Sequence, residues 1–127
     1  MHYIDASAFV KLIIEEQETQ ALLKSLPRSL ISGQILIVEV MRTIVHSDAE
    51  TITFARKLLA GINFLPISGE VISIGSLFGA HIKSKTLDAI HLAAALSIGS
   101  TIDGIITYDK TMIADAKMLG ISVLTPV

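Results

Sequence analysis

The chain has 127 residues and a hydrophobic share of 51%, enough for one compact domain spanning 1–127. Its charged share of 17% falls below the roughly 25% of an ordinary soluble domain, so part of the apolar surplus is expected to be partner surface rather than core. The net charge of −2 argues against a free-standing basic patch for nucleic acid, and the absence of Cys excludes disulfides, thiolate chemistry and Cys-based zinc sites.

Met1-His2-Tyr3-Ile4-Asp5 runs straight into a strand-like stretch without the apolar region of a signal peptide. No apolar run reaches the roughly 18 residues of a membrane span. A cytoplasmic protein with no membrane partner is therefore expected. The first strand covers positions 2–4. Positions 6–14 read as a helix closing in Glu15-Glu16-Gln17-Glu18, and 19–26 as a second helix stopped by Pro27. A brief strand follows at 29–31, with Ser32 and Gly33 turning the chain. Positions 34–46 read as a helix, although their β-branched content also permits a strand. On a helix, Ile35, Glu39, Arg42 and His46 share one stripe among apolar neighbours.

Ser47-Asp48-Ala49-Glu50 has the spacing of a capping box and opens a helix to about position 60, closed by Gly61. Pro66 marks 64–67 as an edge strand. Ser68 caps a helix over 70–81, and the basic loop Lys83-Ser84-Lys85 leads to another that ends near Gly99. In that helix, apolar on nearly every side, Thr86 is the expected N-cap and Asp88 lies in the first turn, where an acid suits the helix dipole. An apolar strand at 104–107 ends at Tyr108-Asp109. A helix over 110–119 closes at Gly120, and 121–124 is the last strand. Short buried strands alternating with helices imply an α/β fold with a parallel sheet covered on both faces.

Open parallel sheets bind ligands at the carboxyl ends of their strands. Asp5 follows the first strand and Asp109 the fourth. Asp88 begins the helix that precedes the fourth strand, and Glu39 lies one turn inside the helix after the second. Each also has a structural reading: Asp5 and Asp109 as N-caps, Asp88 as a dipole partner, Glu39 as the mate of Arg42. Together they predict a cluster, and clustered carboxylates repel unless a cation compensates. Oxygen-only ligands suit Mg²⁺ or Mn²⁺, and a hard divalent ion in an acidic pocket suits phosphodiester hydrolysis. This chemistry does not separate RNA from DNA.

Ser7 and Thr107 stand two residues from Asp5 and Asp109 and are placed to orient those carboxylates, or to serve as a helix-start hydroxyl and a strand residue. Ser32 reads as a cap of the Glu39 helix or a pocket residue. Arg42 reads as a salt bridge or a phosphate contact, Lys85 and Lys110 as solvated lysines or phosphate contacts. His91, one turn after Asp88, reads as a hydrogen-bonded core histidine, and Asp103 and Asp115 as surface acids.

These residues resemble PIN-domain proteins, specifically the VapC-type ribonuclease toxins of prokaryotic toxin–antitoxin pairs. The resemblance runs through Tyr3-Ile4-Asp5-Ala6-Ser7-Ala8-Phe9-Val10-Lys11-Leu12, then Ser32 and Val38-Glu39-Val40 with Arg42. It continues in Leu87-Asp88-Ala89-Ile90-His91-Leu92-Ala93-Ala94-Ala95, in Ile106-Thr107-Tyr108-Asp109 and in the ending from Gly120 to Pro126. It implies a three-layer α/β/α sandwich with a parallel sheet of about five strands. It also implies metal binding by Asp5, Glu39, Asp88 and Asp109, with Mg²⁺ or Mn²⁺ as cofactor. RNA as substrate, a homodimer and a cognate antitoxin laid across apolar helices follow from the same resemblance. Tyr108 and Ala6 depart from the residues relatives often carry there, which bears on substrate contacts and not on the ligands. Two other readings share the sheet architecture: a receiver-like signalling domain, which lacks its acceptor Asp in 64–68, and a non-catalytic binding module whose acids are helix caps.

Overall fold

A computed structural model describes residues 1–127. Five strands form one sheet: β1 (His2–Ile4), β2 (Leu30–Gly33), β3 (Asn63–Leu65), β4 (Gly104–Ile106) and β5 (Val123–Leu124). Every pairing is parallel, and the strand order is β3-β2-β1-β4-β5. β1 is therefore central, and the chain changes direction across the sheet between β3 and β4. Such a switch opens a crevice outside the carboxyl ends of the strands flanking it, here β1 and β4. The order also disposes of the receiver-like reading, since receivers run 2-1-3-4-5.

Seven helices cover the two faces: α1 (Ala6–Val10), α2 (Thr19–Ser25), α3 (Ile35–Thr43), α4 (Ala49–Ala60), α5 (Gly69–Ser76), α6 (Thr86–Ile98) and α7 (Lys110–Met118). Strand alternation divides the core cleanly. Ile4 and Ile106 face a cluster with Phe9, Leu22, Leu36, Val40 and Leu59, from α1 to α4. Their neighbours Tyr3 and Ile105 face the opposite cluster with Val71, Leu92, Ala93, Met112 and Ala116, from α5 to α7. The expected three-layer sandwich is thus formed. α6 is the helix most embedded in it: His91, Leu92, Ala93, Ala94 and Ala95 are all buried, and its small side chains let it lie close to the sheet. No helix is long and apolar enough to cross a membrane.

Several boundaries differ from the sequence reading. α1 stops at Val10 rather than running to position 14. The Lys11, Leu12 and Ile13 amides bond three residues back, to Ala8, Phe9 and Val10, and the Thr19 hydroxyl takes the Lys11 carbonyl at 2.8 Å. The chain tightens there because its carbonyl is claimed from outside the helix. Ser32 and Gly33 belong to β2 instead of a turn. The Ser32 hydroxyl donates to the Ile4 carbonyl at 2.7 Å, so it ties two strands and caps nothing. α4 is capped by Asp48, whose carboxylate accepts from the Thr51 amide at 2.8 Å, and Ser47 lies outside the helix. α5 ends at Ser76, and Thr86 is the first residue of α6, whose N-cap Lys85 supplies no side-chain bond. Gly120 does close the α7 turn, at φ +77°, a conformation in which Gly alone escapes steric cost.

Asp103 is a surface acid as expected, paired with the amino terminus at 2.7 Å. Asp115 is not. It is 1% exposed, and its carboxylate accepts from the amides of Lys83 and Ser84 and from the Ser84 hydroxyl at 2.6 Å. Burial raises its pKa, but the Ser84 hydroxyl and the two amides outweigh burial and hold it below the usual value of 3.8. It thereby pins the loop that leads into α6 to α7. A carboxylate whose pKa is depressed on folding stabilises the fold above its unfolded value and loses that contribution as pH falls through the folded one. Asp115→Asn is therefore expected to lower Tm at pH 7, by the equivalent of about 1–3 kcal/mol. The deficit should shrink below about pH 4. Paired thermal melts across that range measure it.

Candidate active site

The crevice at the β1 and β4 ends is built on Asp5. Its backbone is extended while the next residues are helical, so its side chain caps α1: Oδ1 accepts from the Ala8 amide at 3.0 Å. Oδ1 also takes the Ser7 hydroxyl at 2.7 Å, and Oδ2 takes the Thr107 hydroxyl at 2.6 Å. Those hydroxyls are themselves aimed by the chain leaving β4. The Tyr108 amide donates to Ser7 Oγ at 2.9 Å, and the Asp109 amide donates to Thr107 Oγ1 at 3.1 Å. Each hydroxyl proton is thus committed to Asp5. At 2% exposure, burial drives the Asp5 pKa up, opposed by Thr107, Ser7 and the Ala8 amide. Ser7 therefore takes the orienting position expected of it, whereas Thr107 reaches across the sheet to orient Asp5 rather than Asp109, its neighbour in sequence.

Asp109 sits on the same loop and caps α7, with Oδ1 accepting from the Met112 amide at 2.8 Å. Capping and convergence on the crevice are the same placement, because both strand ends feed directly into helices. Asp88 occupies the first turn of α6 and is partly buried. Its pKa is raised by burial first, then by the charges of Asp109 and Asp5, and further by that of Glu39. Asp88 is therefore close enough to Asp109, Asp5 and Glu39 to feel their charge.

Glu39 does not pair with Arg42, which is exposed. Its Oε1 meets His91 Nε2 at 2.5 Å, a bond between α3 in one helical layer and α6 in the other. His91 is fully buried, as a hydrogen-bonded core histidine, and its Nδ1 lies 2.5 Å from the Tyr3 hydroxyl. Burial pushes the Tyr3 phenol well above its usual 10.0. The sequence reading missed the His91–Glu39 link. The spacing of Asp88 and His91, one helical turn apart, was its available signal, since residues three apart share a face.

The ion pairs of the structure join Met1 to Asp103 and Lys11 to Glu16 and Glu18, while His91 meets Glu39 through a hydrogen bond. None brings a cation to Asp5, Asp88 or Asp109. The donor set, carboxylates with hydroxyl support, suits a hard divalent ion. No three Asp, Glu or His side chains close into a finished metal cage, so side chains must turn to enclose one. A cleft of about 490 Å³ opens beside Ser7 and Asp109, lined also by Lys11, Glu16, Thr43 and Tyr108.

The PIN domain family model matches residues 2–117. This chain belongs to the PIN domain family. Ribonuclease VapC46 of Mycobacterium tuberculosis is 36% identical over 98% of this PIN domain and 96% of its own length. Ribonuclease VapC47 of the same species is 32% identical over 99% and 97%. Among solved structures, a toxin–antitoxin complex from Klebsiella pneumoniae superposes with a TM-score of 0.79 at 22% identity, covering 100% of this chain and 98% of that one. Mycobacterium tuberculosis VapC20, a sarcin-ricin loop cleaving toxin, gives 0.77 at 12% identity, covering 99% and 100%. At such identities the superpositions speak for the fold.

A carboxylate whose pKa is raised on folding contributes stability that is lost as pH climbs through the folded value. Asp88→Asn removes that loss. In a chelating buffer at pH 7 the variant is expected to melt at a higher temperature than the unmodified PIN domain, with the gap closing toward about pH 4. Thermal scans at the two pH values decide it; an equal or lower Tm at pH 7 contradicts the charge cluster.

Proposed function

We propose that this PIN domain is a metal-dependent endoribonuclease that hydrolyses RNA phosphodiester bonds as the toxin of a type II toxin–antitoxin pair. The observation that carries the reading is the uncompensated negative charge at the switch-point crevice. Burial first, then the charges of Asp109, Asp5 and Glu39, destabilise Asp88 as an anion, and no Lys or Arg is paired with Asp5, Asp88 or Asp109. The names of the curated relatives support RNA as the substrate class.

Asp5, Glu39, Asp88 and Asp109 would hold one or two Mg²⁺ or Mn²⁺ ions. When bound, such an ion neutralises charge on the phosphate and makes water more acidic. The chain's own contribution is orientation. Ser7 and Thr107 fix both oxygens of Asp5, and the Met112 amide of α7 fixes Asp109. Asp5 is shielded from water, where electrostatic attraction is strongest. Arg42, exposed one turn beyond Glu39, is free to meet substrate phosphate. In the same reading the enzyme acts in the cytoplasm as a homodimer and is restrained by a cognate antitoxin. Both associations need apolar surface, and Ile72, Leu77 and Leu87 are exposed beside the crevice helices.

Asp5→Asn and Asp88→Asn are each expected to cut Mn²⁺-dependent cleavage of RNA by about 100-fold or more while the circular dichroism spectrum is retained. Full residual cleavage by both folded variants would sink the mechanism. Failure of the unmodified chain to bind Mn²⁺ at millimolar concentration in calorimetry would instead favour the binding-module reading.

A further inference from the structure

Beneath the acids lies a buried chain of hydrogen bonds that catalysis by carboxylates alone does not require. The Gly33 amide donates to the Tyr3 hydroxyl at 2.9 Å. That hydroxyl meets His91 Nδ1 at 2.5 Å, and His91 Nε2 meets Glu39 Oε1 at 2.5 Å. Tyr3 and His91 are both 0% exposed, and their rings stand edge to face with centroids 5.5 Å apart.

The direction of the chain follows from donor counting. A phenol is protonated at neutral pH and has one proton to give. The hydroxyl's other partner, the Gly33 amide, is itself a donor, so the buried phenol proton has only the imidazole to go to, and Nδ1 accepts it. A neutral imidazole with Nδ1 as acceptor carries its proton on Nε2, and that proton faces Glu39. The backbone of β2 thus sets the tautomer of a side chain in α6, which holds a carboxylate in α3.

We propose that Tyr3 and His91 form a positioning relay that holds Glu39 in its metal-binding orientation. The proposal rests on the metal-dependent nuclease reading above. Glu39 needs such a device more than the other acids. Asp5 and Asp109 are short side chains held by backbone amides, and Asp88 is short and fixed by its helix. Glu39 has one more rotatable bond and receives no backbone amide bond; its side-chain tie to another element runs through His91. Arg42, three residues along the same helix, competes for it once that tie is lost. Partners that orient a metal ligand typically matter by about 10–100-fold in metal affinity.

Two substitutions at one position separate the relay from simple core packing. The amide nitrogen of Gln reaches the Nε2 position of His, and that of Asn reaches the Nδ1 position. His91→Gln is expected to keep a donor on Glu39 and to bind Mn²⁺ nearly as tightly as the unmodified chain. His91→Asn is expected to weaken Mn²⁺ binding by about 10-fold or more. Tyr3→Phe should fall between them. Calorimetry with Mn²⁺ alone reads the affinities, and thermal melts identify folded variants. Long-range ¹H–¹⁵N spectra of the unmodified, metal-free protein provide a readout independent of any variant, in which the His91 ring proton should sit on Nε2. A proton on Nδ1, or equal Mn²⁺ affinity for folded His91→Asn and the unmodified chain, overturns the relay. Glu39→Gln runs beside them. If it loses Mn²⁺ while His91→Asn does not, the relay fails and the nuclease reading stands. If the unmodified chain itself binds no Mn²⁺, both fall.

Discussion

A carboxylate buried at the end of the central strand is the constraint on which the rest depends. An anion removed from water must be compensated, and Asp5 receives three hydrogen bonds for that purpose. Supplying them dictates much of the local architecture. α1 must begin at once so that the Ala8 amide points back. Ser7 must lie in its first turn, and β4 must lie beside β1 so that Thr107 can reach across. The parallel pairing of Tyr3 with Ile105 and Ile4 with Ile106 provides that register. Stabilisation of one charge and assembly of the crevice are thus the same set of bonds.

The remaining acids add charge to a place that already holds some. Burial and mutual repulsion both act against Asp88, and the fold tolerates this because the embedded face of α6 anchors the helix in the opposite core. Apolar packing holds the anions in place against their own repulsion. The division of the core into two clusters serves this end, since α3 and α6 approach the crevice from different layers, each secured by its own apolar contacts.

Much of this was legible in the chain. Short apolar strands alternating with helices gave the parallel sheet, and the position of Asp5 and Asp109 directly after strands gave their convergence. What local pattern could not reveal were the partners of side chains brought together by the sheet. Ser47 and Asp48 are both good caps, and only the path of the backbone decides for Asp48. Asp115 looks like any acid on a helix, yet it lies against a loop well before it in sequence, 31 residues away at Ser84. Glu39 had an apparent mate in Arg42 by helical spacing, but a buried imidazole from another layer is the stronger partner. The same limit applies to helix ends: α1 looked longer because nothing near it signals that Thr19 would claim a carbonyl.

The bond between Thr107 and Asp5 spans 102 positions of sequence. During synthesis Asp5 emerges long before the strand that completes its surroundings. Until β4 leaves the ribosome and pairs with β1, the carboxylate lacks the Thr107 hydroxyl and the crevice has one wall. A nascent or truncated chain therefore carries the acids without the arrangement that could use them. In the ribonuclease reading proposed above, the order of translation would act as a safeguard, since the crevice is complete only once β4 has been made and paired.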